Sequence, residues 1–117
     1  MKNKNDYLTD VCFLIASSAK KSYQKLSETY SAIEPPTWAL LLAESCRSVG
    51  FKVSIIDANA ENLSEESVLQ RVTKFKPKLL CLVVYGQNVN AGTTNMRGAV
   101  DISNYLKEKK ISCPIAF

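Results

Sequence analysis

Two stretches of the chain are apolar without interruption, Val11-Cys-Phe-Leu-Ile-Ala16 and Leu79-Leu-Cys-Leu-Val-Val84. A strand with one wet face alternates apolar and polar residues. These two do not, which is the pattern of parallel strands covered on both faces. A third run, Phe51-Lys-Val-Ser-Ile-Ile56, does alternate: Lys52 and Ser54 fall between Phe51, Val53 and Ile55. It reads as an edge strand. Ile111-Ser-Cys-Pro-Ile-Ala-Phe117 supplies a fourth.

Helical spacing fills the intervals. Pro35-Pro36-Thr37-Trp38 opens a first helix, with proline tolerated in the first turn, and Gly50 closes it after Val49. Ser64 is the expected N-cap of a second helix. Glu65 and Glu66 stand at its positive end, and Leu63 is placed to staple onto Val68. Val68, Leu69, Val72 and Phe75 form its stripe and Pro77 ends it. The third helix is expected from Asn95 to Lys109, with Met96, Ala99, Val100, Ile102 and Leu106 inward.

The resulting order is β-α-β-α-β-α-β. Right-handed crossovers turn it into a parallel sheet with helices on both faces. Placing the two unbroken runs centrally and the alternating one at the edge gives strand order 2-1-3-4. The fold class is thus α/β: a Rossmann-like, flavodoxin-like, three-layer α/β/α arrangement. The last strand and helix of the usual domain are missing. Residues 1–117 then read as one domain, a fragment of a longer protein.

Several segments carry candidate chemistry. Ser17 to Glu34 is a long connection without clear periodicity. It leaves the same sheet end as Tyr85-Gly86-Gln87-Asn88, and ligands of open α/β sheets bind at the carboxyl ends of the strands. Gly86 lets a backbone approach a ligand closely, and Gln87 and Asn88 bring amide donors and acceptors. A polar loop is expected from Gln87 to Thr94. Asp57 ends the second strand, where a dinucleotide-binding protein has its ribose acid. No G-x-G-x-x-G accompanies it, so it reads as a loop residue at the sheet edge. The consecutive Leu40, Leu41 and Leu42 point about 100° apart. With Trp38 and Ala43 they make the first helix apolar nearly all round, more than a sheet alone requires, so a second cover is expected from the long loop or another domain.

Composition narrows the function. There is no histidine, which removes imidazole-based triads and imidazole metal ligands. Cys12, Cys46, Cys81 and Cys113 share no paired spacing and read as buried thiols rather than a metal site. The net charge of +4 comes from lysines scattered along the sequence, among them Lys2, Lys4, Lys20, Lys21, Lys107, Lys109 and Lys110. They are expected on solvated faces, not in a nucleic-acid patch. No apolar run is long enough to span a bilayer and the polar start lacks a signal-peptide core, so a cytoplasmic location is expected. No nucleophile or acid–base pair can be placed, so catalysis by this chain alone is not expected.

Ile33-Glu-Pro-Pro-Thr-Trp-Ala-Leu-Leu-Leu-Ala43, followed by Gly50-Phe-Lys-Val-Ser-Ile-Ile-Asp-Ala-Asn-Ala-Glu-Asn-Leu-Ser64, resembles the N-terminal cobalamin (B12)-binding domain of B12-dependent radical SAM proteins. Val84-Tyr-Gly-Gln-Asn88 with Thr94-Asn-Met96 looks like the loop after the third strand in one branch of that family. The resemblance runs from about Val11 to Phe117. It implies a corrin lying over the carboxyl ends of the first and third strands. Ser17 and Ser18 would form one wall and Tyr85, Gly86, Gln87 and Asn88 the other. No histidine from this chain would ligate cobalt, since the Asp-x-His-x-x-Gly motif of other cobalamin domains is absent. The glycine-rich loop that follows a fifth strand in the family is absent as well. S-adenosylmethionine and a 4Fe–4S cluster belong, by the same resemblance, to a downstream radical SAM domain in cis. That domain would pack on the helix bearing Trp38 to Ala43. Without the resemblance, a flavodoxin-like nucleotide- or flavin-binding domain and a non-catalytic interaction domain stay open.

Overall fold

A computed structural model of the protein describes residues 8–17, 36–85 and 89–117. Four strands, β1 (Thr9–Ile15), β2 (Val53–Asp57), β3 (Pro77–Leu82) and β4 (Ile115–Ala116), form one parallel sheet in the order β2-β1-β3-β4. Among the described residues three helices connect them: α1 (Thr37–Ser48), α2 (Glu65–Phe75) and α3 (Val89–Glu108). The α/β class and the strand order expected from the sequence are those observed. The two unbroken apolar runs are the central, neighbouring strands, and the alternating run lies at the edge.

Period-two alternation along the strands divides the core into two layers. Even-numbered strand residues, including Cys12, Leu14, Ile56, Leu80 and Leu82, point to the face covered by α2 and α3. There they join Val68, Val72, Ala99, Ile102 and Leu106. Odd-numbered residues Val11, Phe13, Ile15, Val53, Ile55, Cys81 and Val83 gather on the other face around Ala39, Ala43 and Cys46 of α1. The β1–β2 register pairs Cys12 with Ser54 and Leu14 with Ile56, and the β1–β3 register pairs Cys12 with Leu80. Ser54 therefore lies beside Cys12 under α2, with its hydroxyl buried. Burial pushes the Cys12 thiol up to about 11, opposed by the Ser54 hydroxyl.

Helix ends follow the residues available to them. Ser64 caps α2 by accepting a hydrogen bond from the Ser67 amide at 3.2 Å. That helix ends before Pro77, with Lys76 in the left-handed region at φ 44°. Pro77 itself opens β3, where a strand tolerates the missing N–H. Gly50 leaves α1 at φ 96°.

Four expectations change. The second strand begins at Val53, since Phe51 and Lys52 still belong to the turn that brings the Phe51 amide back to the Cys46 carbonyl at 3.1 Å. Strand β4 is two residues long, because Ile111 is held to α3 through the Leu106 carbonyl at 3.4 Å. Helix α3 starts at Val89, so the polar stretch through Thr94 is helix rather than loop. Asn90, Gly92, Thr93 and Thr94 are weak helix formers, but adding turns to a formed helix is easier than nucleating one. Finally, Met96 and Val100 are exposed. The inward stripe is Ala99, Ile102, Ser103 and Leu106, and the expected pair sits on its flank.

Candidate functional site

The crossovers fix where a ligand can sit. From β1 the chain crosses to β2 over one face of the sheet, carrying α1. From β3 it crosses to β4 over the other face, carrying α3. The two central strands thus send their connections in opposite directions from their carboxyl ends. This is the topological switch point at which open α/β sheets bind ligands. Across it the strands remain joined: the Val83 amide donates to the Leu14 carbonyl at 2.9 Å.

Ser17 follows β1 at this end and is half-buried. Tyr85 follows β3 at the same end and is exposed. The structure therefore sets these two expected site residues at the ends of neighbouring strands. Ser18, Gly86, Gln87 and Asn88 lie outside the described residues.

Two residues not read as site residues in the sequence hold Tyr85. Trp38, in the first turn of α1, packs its ring against the Tyr85 ring with centroids 5.6 Å apart and planes at 47°. The Asn95 side-chain amide of α3 donates to the Tyr85 carbonyl. Tyr85, three residues beyond β3, is thereby tied to both flanking helices, one on each face of the sheet. Trp38 and Tyr85 are each about half exposed, at 50% and 46%, so the pair forms an aromatic rim open to solvent. A signal was available in the sequence. Every helix of a parallel α/β fold begins at the carboxyl end of the sheet, so the first turn after Pro35-Pro36 had to lie near the site.

Asp57 ends β2 rather than lying in the loop beyond it. Its Oδ1 accepts from the Ala60 amide at 3.0 Å, closing the turn that follows. The carboxylate is engaged with its own backbone at the sheet edge, one strand away from the switch point.

The remaining chemistry is sparse. Among the described residues no group of three or more histidine, cysteine or carboxylate side chains could hold a metal ion. The cysteines are free thiols. Burial raises Cys81 and Cys113 above the ordinary thiol range, and the neighbouring Cys46 adds to the shift at Cys81. Protonated, partly buried thiols of this kind are poor nucleophiles. What this strand end offers is a hydroxyl at Ser17 and aromatic surface at Trp38 and Tyr85. Compared with known protein families, with curated proteins and with solved structures, the chain matches none at a significant level.

Proposed function

We propose that this chain is a cofactor-binding module that holds cobalamin over the carboxyl ends of β1 and β3, as its resemblance to the N-terminal domains of B12-dependent radical SAM enzymes implies. The observation that supports the reading is the topological switch point, flanked by Ser17 and by Tyr85 with its Trp38 partner. Ser17 and Ser18 would line one wall and Tyr85 to Asn88 the other. The fit is one of residue types and placement: hydroxyls and amides match the amide-fringed rim of a corrin, and the aromatic rim matches its apolar plane. When bound, the corrinoid supplies cobalt-centred chemistry. The chain's own residues, Ser17 and Ser18 on one side and Tyr85 to Asn88 on the other, would bind and orient it.

No imidazole is available for cobalt. Affinity then rests on buried area and on many weak polar contacts, and apolar burial at about 25 cal/mol per Å² makes this feasible for so large a ligand. The reaction itself would belong to a radical SAM domain in cis, carrying S-adenosylmethionine and the 4Fe–4S cluster. That domain would cover Leu40, Leu41 and Leu42, which α1 leaves exposed. In this reading the protein works in the cytoplasm, and no described helix is long and apolar enough to cross a membrane.

A flavin is the second reading. The Trp38–Tyr85 pair would suit any planar conjugated ring. No glycine-rich phosphate loop follows β1, which weighs against it.

One titration separates the two. Trp38 is the sole tryptophan, so hydroxocobalamin binding at the switch point should quench its emission and change the corrinoid's visible spectrum. Tyr85→Ala and Gly86→Val should each weaken that response while the circular dichroism stays unchanged. Tighter binding of flavin mononucleotide than of hydroxocobalamin, or no response to either, would refute the cobalamin reading.

A further inference from the structure

Lysines that are scattered in the sequence converge at one end of the folded sheet. The last turn of α2, the residue after it and the start of β3 carry Lys74, Lys76 and Lys78. The neighbouring last turn of α3 and the connection to β4 carry Lys107, Lys109 and Lys110, and all six are exposed. Both connections lie at the amino-terminal end of the strands, because β3 and β4 are adjacent and parallel. The carboxylates beside these lysines are Asp10, which pairs with Lys78 at 3.2 Å, and Glu108. Asp57, Glu61, Glu65 and Glu66 lie at the opposite, carboxyl end. Among the described residues, the lysine-rich and carboxylate-rich ends thus lie apart along the strand direction.

Helix dipoles account for part of this, since three helices point their negative ends here and favour cations in their last turns. They do not account for the residues that turn the chain. Helices α2 and α3 both exit through a left-handed residue, and in both it is lysine: Lys76 at φ 44° and Lys110 at φ 57°. Helix α1 makes the same exit with Gly50. The left-handed region favours glycine, so a lysine there places charge at a position where backbone preference would not have put it.

The same end also exposes apolar side chains. Leu8, Val49 and Phe51 are 61%, 70% and 52% exposed. They come together because the Lys52 carbonyl accepts from the Asp10 and Val11 amides at 2.8 and 3.2 Å, which sets the α1–β2 turn against the start of β1. Lysines beside exposed leucine, valine and phenylalanine are the composition of a surface that sits in the headgroup region of a bilayer. A nucleic-acid backbone would use the charge but has no use for Leu8 and Val49.

We propose that the amino-terminal end of the sheet docks on an anionic lipid bilayer. The lysines face the headgroups, and Leu8, Val49 and Phe51 enter the interface. The carboxyl end, with the switch point between β1 and β3, then faces away from the membrane. The two surfaces are at opposite ends of the strands, so docking stands or falls independently of what the switch point binds.

Vesicle flotation tests this with the intact chain. Vesicles of equimolar phosphatidylserine and phosphatidylcholine should carry the protein upward at low salt, and vesicles of phosphatidylcholine alone should not. Each lysine removed should weaken binding about fivefold, so Lys76→Gln, Lys109→Gln and Lys110→Gln together should weaken it about a hundredfold. Phe51→Ser, which leaves the charge unchanged, should weaken binding to the same vesicles. Raising the salt toward molar concentration, which requires no variant, should release the native chain. Failure to float with anionic vesicles, equal flotation with neutral ones, or undiminished binding by the triple variant would overturn the proposal. So would binding to duplex DNA more tightly than to the vesicles, which would assign the surface to nucleic acid instead.

Discussion

Replacing Leu80 by alanine is the sharpest test of where the core lies. Leu80 has no exposed surface and stands in a central strand. It is paired in register with Cys12 of β1 on one side and Ile115 of β4 on the other. Its side chain packs in the layer under α2 and α3. The substitution removes about 2 kcal/mol of apolar transfer free energy and leaves a cavity. Flanking strands and covering helices limit collapse into that space, so the total loss should be about 3–4 kcal/mol, in the upper part of the range for buried leucines. A domain of this size has a stability on the order of 10 kcal/mol, so about a third disappears. Urea unfolding followed by far-ultraviolet circular dichroism should show the midpoint falling by about 2 M with the slope unchanged. Leu41→Ala is the control: at 57% exposure it should lose less than about 1 kcal/mol. A loss below about 1 kcal/mol at Leu80, or an equal loss at Leu41, would refute the assignment of core and surface.

Ser64→Ala removes the acceptor for the Ser67 amide and should destabilise the protein by about 1 kcal/mol, read from the same urea curves. The Lys52 backbone N–H, at 2.7 Å, and the Lys78 ammonium hold the Asp10 carboxyl below its ordinary value of 3.8. A depressed folded-state pKa contributes stability above 3.8 that is lost as the pH falls through the folded value, so thermal melts should show Asp10→Asn flattening that acid-side decline. Cys12, with its thiol pushed to about 11, should resist alkylation at neutral pH until denaturant is added, whereas half-buried Cys46 should be modified first, as peptide mass mapping would show. Tyr85→Ala should shift the emission of Trp38, because it removes the ring packed against the only tryptophan.

The sheet was legible because its signal is long-range in consequence but local in pattern. Val11 to Ala16 and Leu79 to Val84 admit no wet face, so they had to be central, and the right-handed crossover rule fixed the remaining order. Alternation points to the edge position of β2, although the Ser54 hydroxyl is buried beside Cys12 and, of the two polar residues, only Lys52, ahead of the strand, is exposed. Boundaries were harder to read. A two-residue β4 and a helix starting at Val89 depend on which backbone groups find partners, and residue type records that weakly. Met96 and Val100 fall on the flank because the buried stripe of α3 is narrower than its apolar spacing suggests. Ser103 completes the narrower face, yet a buried serine looks polar on the page. At the candidate site, Tyr85 was visible as the end of an apolar run, whereas Trp38 and Asn95 were not. Their roles arise from two helices meeting one strand end, a relation that no single stretch of sequence contains.

The underside of α1 connects the fold to the site. Only Ala39 and Ala43 are fully buried there, with Cys46 partly so, and they lie over Phe13, Ile15 and Val53. Small residues let a helix axis come close to a sheet, as larger side chains in the same places would not. Close approach has two consequences. The larger residues Trp38, Leu40, Leu41 and Leu42 are left on the flanks and outer surface, which is why a helix so rich in apolar residues buries so few of them. It also brings the first turn down to the level of the strand end, so that Trp38 meets the Tyr85 ring. Ala39→Leu should lift that turn. The expected signature is specific: loss of the Trp38–Tyr85 contact, seen as a shift in tryptophan emission, beyond the destabilisation of about 1–3 kcal/mol that overpacking brings. If emission stays fixed while stability falls, the rim does not depend on the depth at which α1 sits, and the link between its alanines and the aromatic pair is wrong.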